Sequence, residues 1–428
     1  MSQVAGDSGP GGRTLALLSL PALVIGVVSA VVLWLLNTLA GFVQGYLWSS
    51  LPHALGTDPY RSWWTVLILT LTGAAVGLVV WLVPGHAGPD SATTELAAPP
   101  LRTGVVPGLA LATLISLAGG VSLGPENPII AINTALAVGT LTRVAKAVPP
   151  QLIALLASAA TVGALFGTPV AAALLFTGMV AALKTGGSLW DRLFLPLVAA
   201  GAGSVTTYLL GVPPLVFHLA PFGTPHAIDF VTGALVAAVT AALGIGGVYV
   251  FPLLHRGFHA LRNPLLFTAL GGLVLGILAV IGGPETMFKG LAQAGDLLQN
   301  PAAYSAGTLA LFAIVKIVAL LVAASAGFRG GRIFPAVFVG VAAGLFWHAV
   351  IPSMPIGLAI ACAVLGIVLV VARDGWLALF LGIALTGDVT LLPILCIIIL
   401  PTWLLVTGVP ELRISAESRA PGTSRVTP

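Results

Sequence analysis

Apolar segments follow one another along almost the whole chain, joined by short polar connections rich in Gly and Pro. The pattern predicts helices near 14–47, 62–83, 104–121, 126–142, 150–165, 168–184 and 189–210. It predicts others near 227–259, 264–281, 304–325, 333–350, 355–373, 375–386 and 391–408. A helix that simply crosses a bilayer needs about twenty apolar residues. Several predicted segments are shorter, and the 52 Gly and 31 Pro interrupt many of them. Two segments, 14–47 and 227–259, are much longer and imply strong tilt. Short broken helices beside long tilted ones point to a transporter or channel with discontinuous helices, not to a bundle of uniform spans.

Composition narrows the class further. Of the 428 residues, 58% are hydrophobic and only 7% are charged. A water-facing exterior normally carries most of a protein's Asp, Glu, Lys and Arg, and this chain has too few to clothe one. The chain therefore reads as an all-α polytopic membrane protein with its outer surface in lipid. The net charge of +4 comes without any Lys/Arg run, which gives no sign of a nucleic-acid surface. Basic residues at the two ends (Arg13; Arg413, Arg419 and Arg425) favour cytoplasmic termini, in the cell (inner) membrane. Cys362 and Cys396 each lie inside an apolar run and read as small core residues, not as a disulfide or a metal pair. The first apolar run, Leu15 to Val43, is too long for a signal-peptide core. The polar ends, 1–12 and 417–428, are expected to be disordered, with no regulatory module appended after 417. Between them we expect a single transmembrane domain, 13–416, with halves of about 13–220 and 221–416.

Each half opens on a long segment and later contains a Gly/Pro-rich break: "LGPENP" (Leu123 to Pro128) in the first, "GGRIFP" (Gly330 to Pro335) in the second. This is a weak internal repeat, and inverted repeats bring their broken helices together at the bilayer midplane. Glu126 is the only charged side chain between Arg102 and Arg143. A carboxylate at the bilayer centre costs about 3 kcal/mol or more on insertion scales, so it needs a compensating environment. Prolines on either side place Glu126 at the N-cap or first turn of a helix, where unpaired N–H groups and the helix dipole favour a negative charge. The same amides suit a dissolved anion. Carboxylate and anion cannot occupy them together, and that competition makes a gate; the bland alternative is a stabilising N-terminal acid.

The second break follows the same logic. Its glycines admit close approach of a ligand, and the amides of Arg332, Ile333 and Phe334 are expected to point back toward the centre. Arg332 adds positive charge there, whereas Arg329 reads rather as a side chain snorkelling to the interface. A third break, "PGHAGPDSATTEL" (Pro84 to Leu96), is either a re-entrant stretch with hydroxyls and Asp90 or an ordinary polar loop.

In this order and spacing the three breaks resemble the CLC family of chloride channels and chloride/proton antiporters. "GPENP" matches the family's Gly-Arg/Lys-Glu-Gly-Pro, with Glu126 on the gating glutamate. "GGRIFP" matches Gly-x-Phe-x-Pro with its Phe displaced by one position. Lys316 stands where the family usually has a basic residue, and "LFGTPVAAALLF" (Leu165 to Phe176) is similar to its subunit-interface helix. The resemblance covers about 14–412. It implies a CLC-like inverted repeat of tilted and discontinuous helices, a homodimer with one path per subunit, chloride or another small anion as the substrate, and protons as a possible co-substrate. It further implies a prokaryotic member without cytoplasmic domains, and no metal or cofactor. Three positions depart from the family. "HAGPD" (His86 to Asp90) puts Ala87 in place of the anion-contacting serine, with Ser91 the nearest hydroxyl. The anion-coordinating tyrosine has no candidate, since the last tyrosine is Tyr304. The internal proton-transfer glutamate falls near Gly178-Met179.

Other classes fit less well. Gly120-Val121-Ser122-Leu123-Gly124 formally matches the G-x-S-x-G of hydrolases, but it lies in a broken membrane helix and not in a strand–turn–helix. His86, His255, His259 and His348 read as interfacial or core residues, not as ligands. A cation-coupled transporter would use Glu126, Asp388 or Glu285; the last two read as connection residues. The sequence thus predicts a non-enzymatic anion pathway gated by Glu126. It is lined by the backbone of Gly124, Asn127, Arg332, Ile333 and Phe334, with Ala87 and Gly88 at its inner mouth. The missing internal acid favours channel-like or weakly coupled transport over strict antiport.

Overall fold

The computed structural model describes residues 11–94, 99–144, 148–182, 188–213, 215–217 and 219–414. Residues 1–10 and 417–428, expected to be disordered, lie outside the described residues, and Gly12 already opens the first helix. The first half holds α1 (Gly12–Gly45), α2 (Leu51–Ala54), α3 (Ser62–Leu82), α4 (Val106–Ala118), α5 (Glu126–Val144), α6 (Pro150–Phe166), α7 (Pro169–Ala182) and α8 (Leu189–Leu209). The second holds α9 (Ala227–His259), α10 (Pro264–Gly282), α11 (Leu291–Gln299), α12 (Ala306–Ser325), α13 (Ile333–Val350), α14 (Ile356–Ala372), α15 (Gly375–Thr386) and α16 (Leu392–Thr407). Among the described residues, seven helical segments are long and apolar enough to cross a membrane, counting Gly12–Ala54 as one.

The helix ends follow local chemistry. Asn263, Ser305 and Asp374 cap α10, α12 and α15, accepting from the N–H groups of Leu265, Thr308 and Leu377. Gly167 and Gly387 end α6 and α15 at positive φ, where a Cβ would be strained. Among the described residues the apolar pattern missed two helices: α2, a single turn, and α11, which is short and mixes Gln, Asp and Gly with its apolar residues.

The internal repeat is real and extends over all the long helices. α1 packs on α4, α6 and α8 just as α9 packs on α12, α14 and α16. The α5–α6 and α6–α7 contacts recur as α13–α14 and α14–α15. Across the halves, equivalent helices meet each other: α3 on α10 and α7 on α15. Gly124 and Gly331, each two residues before its helix, form an antiparallel bridge, N–H to O, at 2.9 and 2.6 Å. An antiparallel pairing of equivalent residues is what a two-fold relation between halves produces. Layered around this centre, α14 is buried from Gly357 to Val371 on every face. The outer helices α1, α9 and α16 instead expose apolar side chains such as Leu20, Leu253 and Leu404, as a lipid-facing surface requires.

The α3–α10 contact depends on bare backbone. A Cβ on Gly272 would stand 2.2 Å from the Leu69 carbonyl oxygen, and one on Gly73 2.3 Å from that of Thr268. Small residues let membrane helices approach this closely. Gly272→Ala is therefore expected to cost about 1–3 kcal/mol, as overpacking does, and to lower the thermal unfolding midpoint in detergent. An unchanged midpoint would mean that the two helices slide apart at no cost.

Candidate functional site

Two helix N-termini meet at the Gly124–Gly331 bridge. Each carries Pro as its third residue, Pro128 in α5 and Pro335 in α13, a position that tolerates the missing N–H. Glu126 is the first residue of α5 and is completely buried. Its Oε1 accepts a 2.6 Å hydrogen bond from the Phe334 N–H, in the first turn of α13. The carboxylate of one half is thus seated on the positive helix end of the other. Its Oε2 has no hydrogen-bond partner among the described residues. Glycine makes the seat: a Cβ on Gly331 would lie 1.9 Å, and one on Gly124 2.2 Å, from Oε2.

Cavities flank this carboxylate. One of about 510 Å³ is lined by Pro125, Phe334, Lys289 and Asp296 among others. Another of about 430 Å³ is lined by Asn127, Arg332, Ile333, Met179 and Arg373 among others. Chain neighbours on either side of Glu126 line different cavities, and Glu126 itself lines neither. The phenyl rings of Phe166, Phe334 and Phe380 stand edge to face beside the seat, Phe166 lying 5.9 Å from each of the other two, centroid to centroid. A third, small space of about 20 Å³ lies among Ser91, Thr94, Asn127 and Gly330.

Of the residues expected at the site, Gly124, Glu126, Asn127, Arg332, Ile333 and Phe334 come together around the two helix ends. Arg332 donates from Nη2 to the Thr94 carbonyl at 3.0 Å and from Nη1 to that of Leu412, tying the start of α13 to the third break and to the C-terminal segment. Asn127 Nδ2 reaches Thr94 Oγ1 at 3.1 Å.

Ala87 and Gly88, expected at the inner mouth, line none of these three cavities. Gly85, His86, Ala87 and Gly88 all have positive φ, between 52 and 82°. This left-handed turn presents the His86 and Ala87 carbonyls to the Arg329 guanidinium at 2.8 and 3.0 Å. Gly88 instead faces Leu101, Val105 and Leu109. Arg329 therefore does not snorkel. It is 5% exposed, and its Nη1 also donates to the Gly327 carbonyl at 2.5 Å.

Ser91 and Thr94 line the small space. Ser91 Oγ lies 2.7 and 2.9 Å from the Phe328 and Gly330 carbonyls, and the Gly330 N–H lies 2.9 Å from Ser91 Oγ. Residues 95 and 96 of the third break lie outside the described residues.

Sequence reasoning also passed over Lys289, which lines the larger cavity, and over Asp374 and Glu411, which line the other. A lone Lys between apolar runs, in "MFKGL", was the available signal. Lys316 is fully buried and donates to the Thr286, Met287 and Phe288 carbonyls at 2.7–3.0 Å. It thereby holds the loop that places Lys289. Ser122 Oγ is buried without a hydrogen-bond partner among the described residues, so none of their imidazoles activates it as a nucleophile.

Residues 84–405 match the family described as voltage gated chloride channel. The chain is 47% identical over 416 residues to the "Putative ion-transport protein YfeO" of Escherichia coli O1:K1, covering 96% of this chain and 98% of that one. It is 48% identical over 415 residues to the protein of the same name from Escherichia fergusonii, with the same shares covered. Among solved structures, a slow cyanobacterial Cl⁻/H⁺ antiporter superposes with a TM-score of 0.77 at 19% identity, covering 92% of this chain and 96% of that one. A CLC-type fluoride/proton antiporter superposes with a TM-score of 0.67 at 19% identity, covering 93% and 97%. At such identities the superpositions speak for the fold alone.

Proposed function

Because this chain belongs to the voltage-gated chloride channel family, whose members move anions across membranes, we propose that it carries chloride or another small halide along a path closed by Glu126. The observation that carries this reading is the Glu126 carboxylate on the Phe334 N–H, with its chain neighbours Pro125 and Asn127 lining different cavities. An anion arriving from either cavity competes for the same N–H and helix dipole. When the carboxylate leaves or is neutralised, the anion takes its place and the two cavities join. Lys289 on one side, and Arg332 and Arg373 on the other, draw anions toward the seat.

The path works in a channel-like or weakly coupled way. Gly178 and Met179 line the 430 Å³ cavity and offer no proton carrier. One observation favours a second reading, proton-coupled antiport: Asp374 and Glu411 line the same cavity and supply carboxylates. Cation coupling gains nothing from the other acids. Asp388 caps the Phe222 and Thr390 N–H groups, and Glu285 sits in a short turn. In the full proposal the protein is no enzyme. It works as a homodimer in the cell membrane, with both termini in the cytoplasm.

Anion efflux from liposomes holding the purified protein tests this, with several halides compared and proton movement recorded together. Halide efflux without stoichiometric protons is expected. A fixed proton count per anion establishes antiport, and efflux that depends on Na⁺ removes the anion reading.

A further inference from the structure

Away from the anion path, the third break meets the end of α9. His255 and His259, one turn apart on that helix, share a face, and Asp90 lies opposite them. Asp90 Oδ2 is 3.8 Å from Nε2 of each imidazole. One ligand atom from each residue lies within 4.8 Å of the other two. These separations are in the range of ion pairs and also suit donors arranged around a small ion. His255 is 7% exposed, and its Nε2 is buried with no hydrogen-bond partner among the described residues. A buried polar nitrogen without a hydrogen bond is costly, and beside the Asp90 carboxylate an ion held among the three donors would satisfy it.

The surrounding bonds orient the donors. His259 Nδ1 lies 3.0 Å from the His255 carbonyl. That contact makes Nδ1 the protonated nitrogen and turns the Nε2 lone pair toward Asp90. The Thr93 N–H and hydroxyl hold Asp90 Oδ1 at 3.1 and 3.0 Å, which directs Oδ2 at the imidazoles. Carboxylates and carbonyls fixed in this way are the usual supports of metal ligands.

We propose that Asp90, His255 and His259 bind one divalent transition-metal ion, of which Zn²⁺ fits the donor set best. Two imidazole nitrogens and one carboxylate oxygen match the three-ligand sites that Zn²⁺ occupies with a solvent molecule as the fourth ligand. Zn–N and Zn–O bonds of about 2.0–2.2 Å require the donors to close on the ion from their present spacing. The two rings, now stacked with centroids 3.9 Å apart, turn their Nε2 atoms inward to do so. His259, 26% exposed at the end of α9, offers the way in. The Arg329 guanidinium, held on the His86, Ala87 and Gly327 carbonyls, opposes a cation here and weakens the site without blocking it. Since Asp90 precedes Ser91, which clamps Phe328 and Gly330, a bound ion ties the third break to both α9 and the segment before α13.

The test uses the full chain in detergent, purified through a tag without histidine, loaded with Zn²⁺ and passed over a desalting column. One Zn²⁺ per chain is expected, falling to none in the His255→Ala/His259→Ala double variant. His259→Ala alone, at a partly exposed position, is expected to weaken binding at least tenfold. Co²⁺ loading of the unmodified protein should give the strong visible absorption of a tetrahedral site. A metal-free unmodified protein, full retention by the double variant, or a six-coordinate Co²⁺ spectrum each overturns the proposal. Halide efflux is not the readout, so this result and the transport reading stand or fall separately.

Discussion

Glu126→Gln is expected to remove the pH dependence of anion flux while the protein stays folded. In the native chain the Glu126 carboxylate holds the Phe334 N–H at 2.6 Å in a site closed to water. A hydrogen bond to a charged group contributes about 1.5–3 kcal/mol, which corresponds to roughly ten- to a hundredfold in the balance between seated and released side chain. Protonation removes the charge and with it most of that advantage over a competing anion. Flux through the native protein is therefore expected to rise as pH falls. Glutamine has the same shape and accepts from the same N–H, but it does not titrate. Its flux should stay at the native acid level at every pH. Efflux from liposomes between about pH 4.5 and 7.5 checks this; a Glu126→Gln protein still governed by pH would put the gate on another group.

Lys316→Met should strongly destabilise the chain's interior. The Lys316 ammonium is the hydrogen-bond donor to three successive buried carbonyls, Thr286 to Phe288, and faces the Phe338 ring at 5.1 Å. Methionine fills nearly the same volume and leaves those acceptors without this donor, at about 1–3 kcal/mol each. Part of that loss is returned because a buried charge no longer needs to be desolvated. The net loss is expected to be about 2–4 kcal/mol, seen as a lower unfolding midpoint in detergent. The loop it releases runs into Lys289 at the 510 Å³ cavity, and the Phe288 N–H bonds the Gly120 carbonyl at 3.0 Å. Flux should therefore fall even in molecules that remain folded. Native stability in Lys316→Met would show that water or other groups satisfy those carbonyls.

Reading the chain in order recovered the long helices almost residue by residue, and both central breaks. α5 and α13 begin at Glu126 and Ile333, where the flanking prolines had placed them. Ala87 and Gly88 were expected at the inner mouth from the comparison of "HAGPD" with a family pattern, which counts positions along the chain; neither lines the three cavities described. Ser91 reaches its place through partners 237 and 239 residues away, and no local pattern records those. Arg329 failed for a related reason. An arginine near a predicted helix end looks like one that reaches for the interface, until a left-handed turn 242 residues earlier supplies its acceptors. His255 and His259 read as interfacial or core residues, and their closeness to Asp90, far away in the chain, is likewise recorded in no local pattern.

The amino-acid sequence alone determined the solvent this protein lives in, the spans that cross it, and the points where they break. Those follow from transfer of side chains to lipid and from whether each residue's own N–H and φ allow a helix, which are local properties. Which apolar helix faces lipid and which fills the centre was decided only by the tertiary structure, since α14 and α16 are equally apolar. The meeting of Glu126 with Phe334 across 208 residues belongs there too, because it depends on the pairing of two halves that neither half encodes by itself.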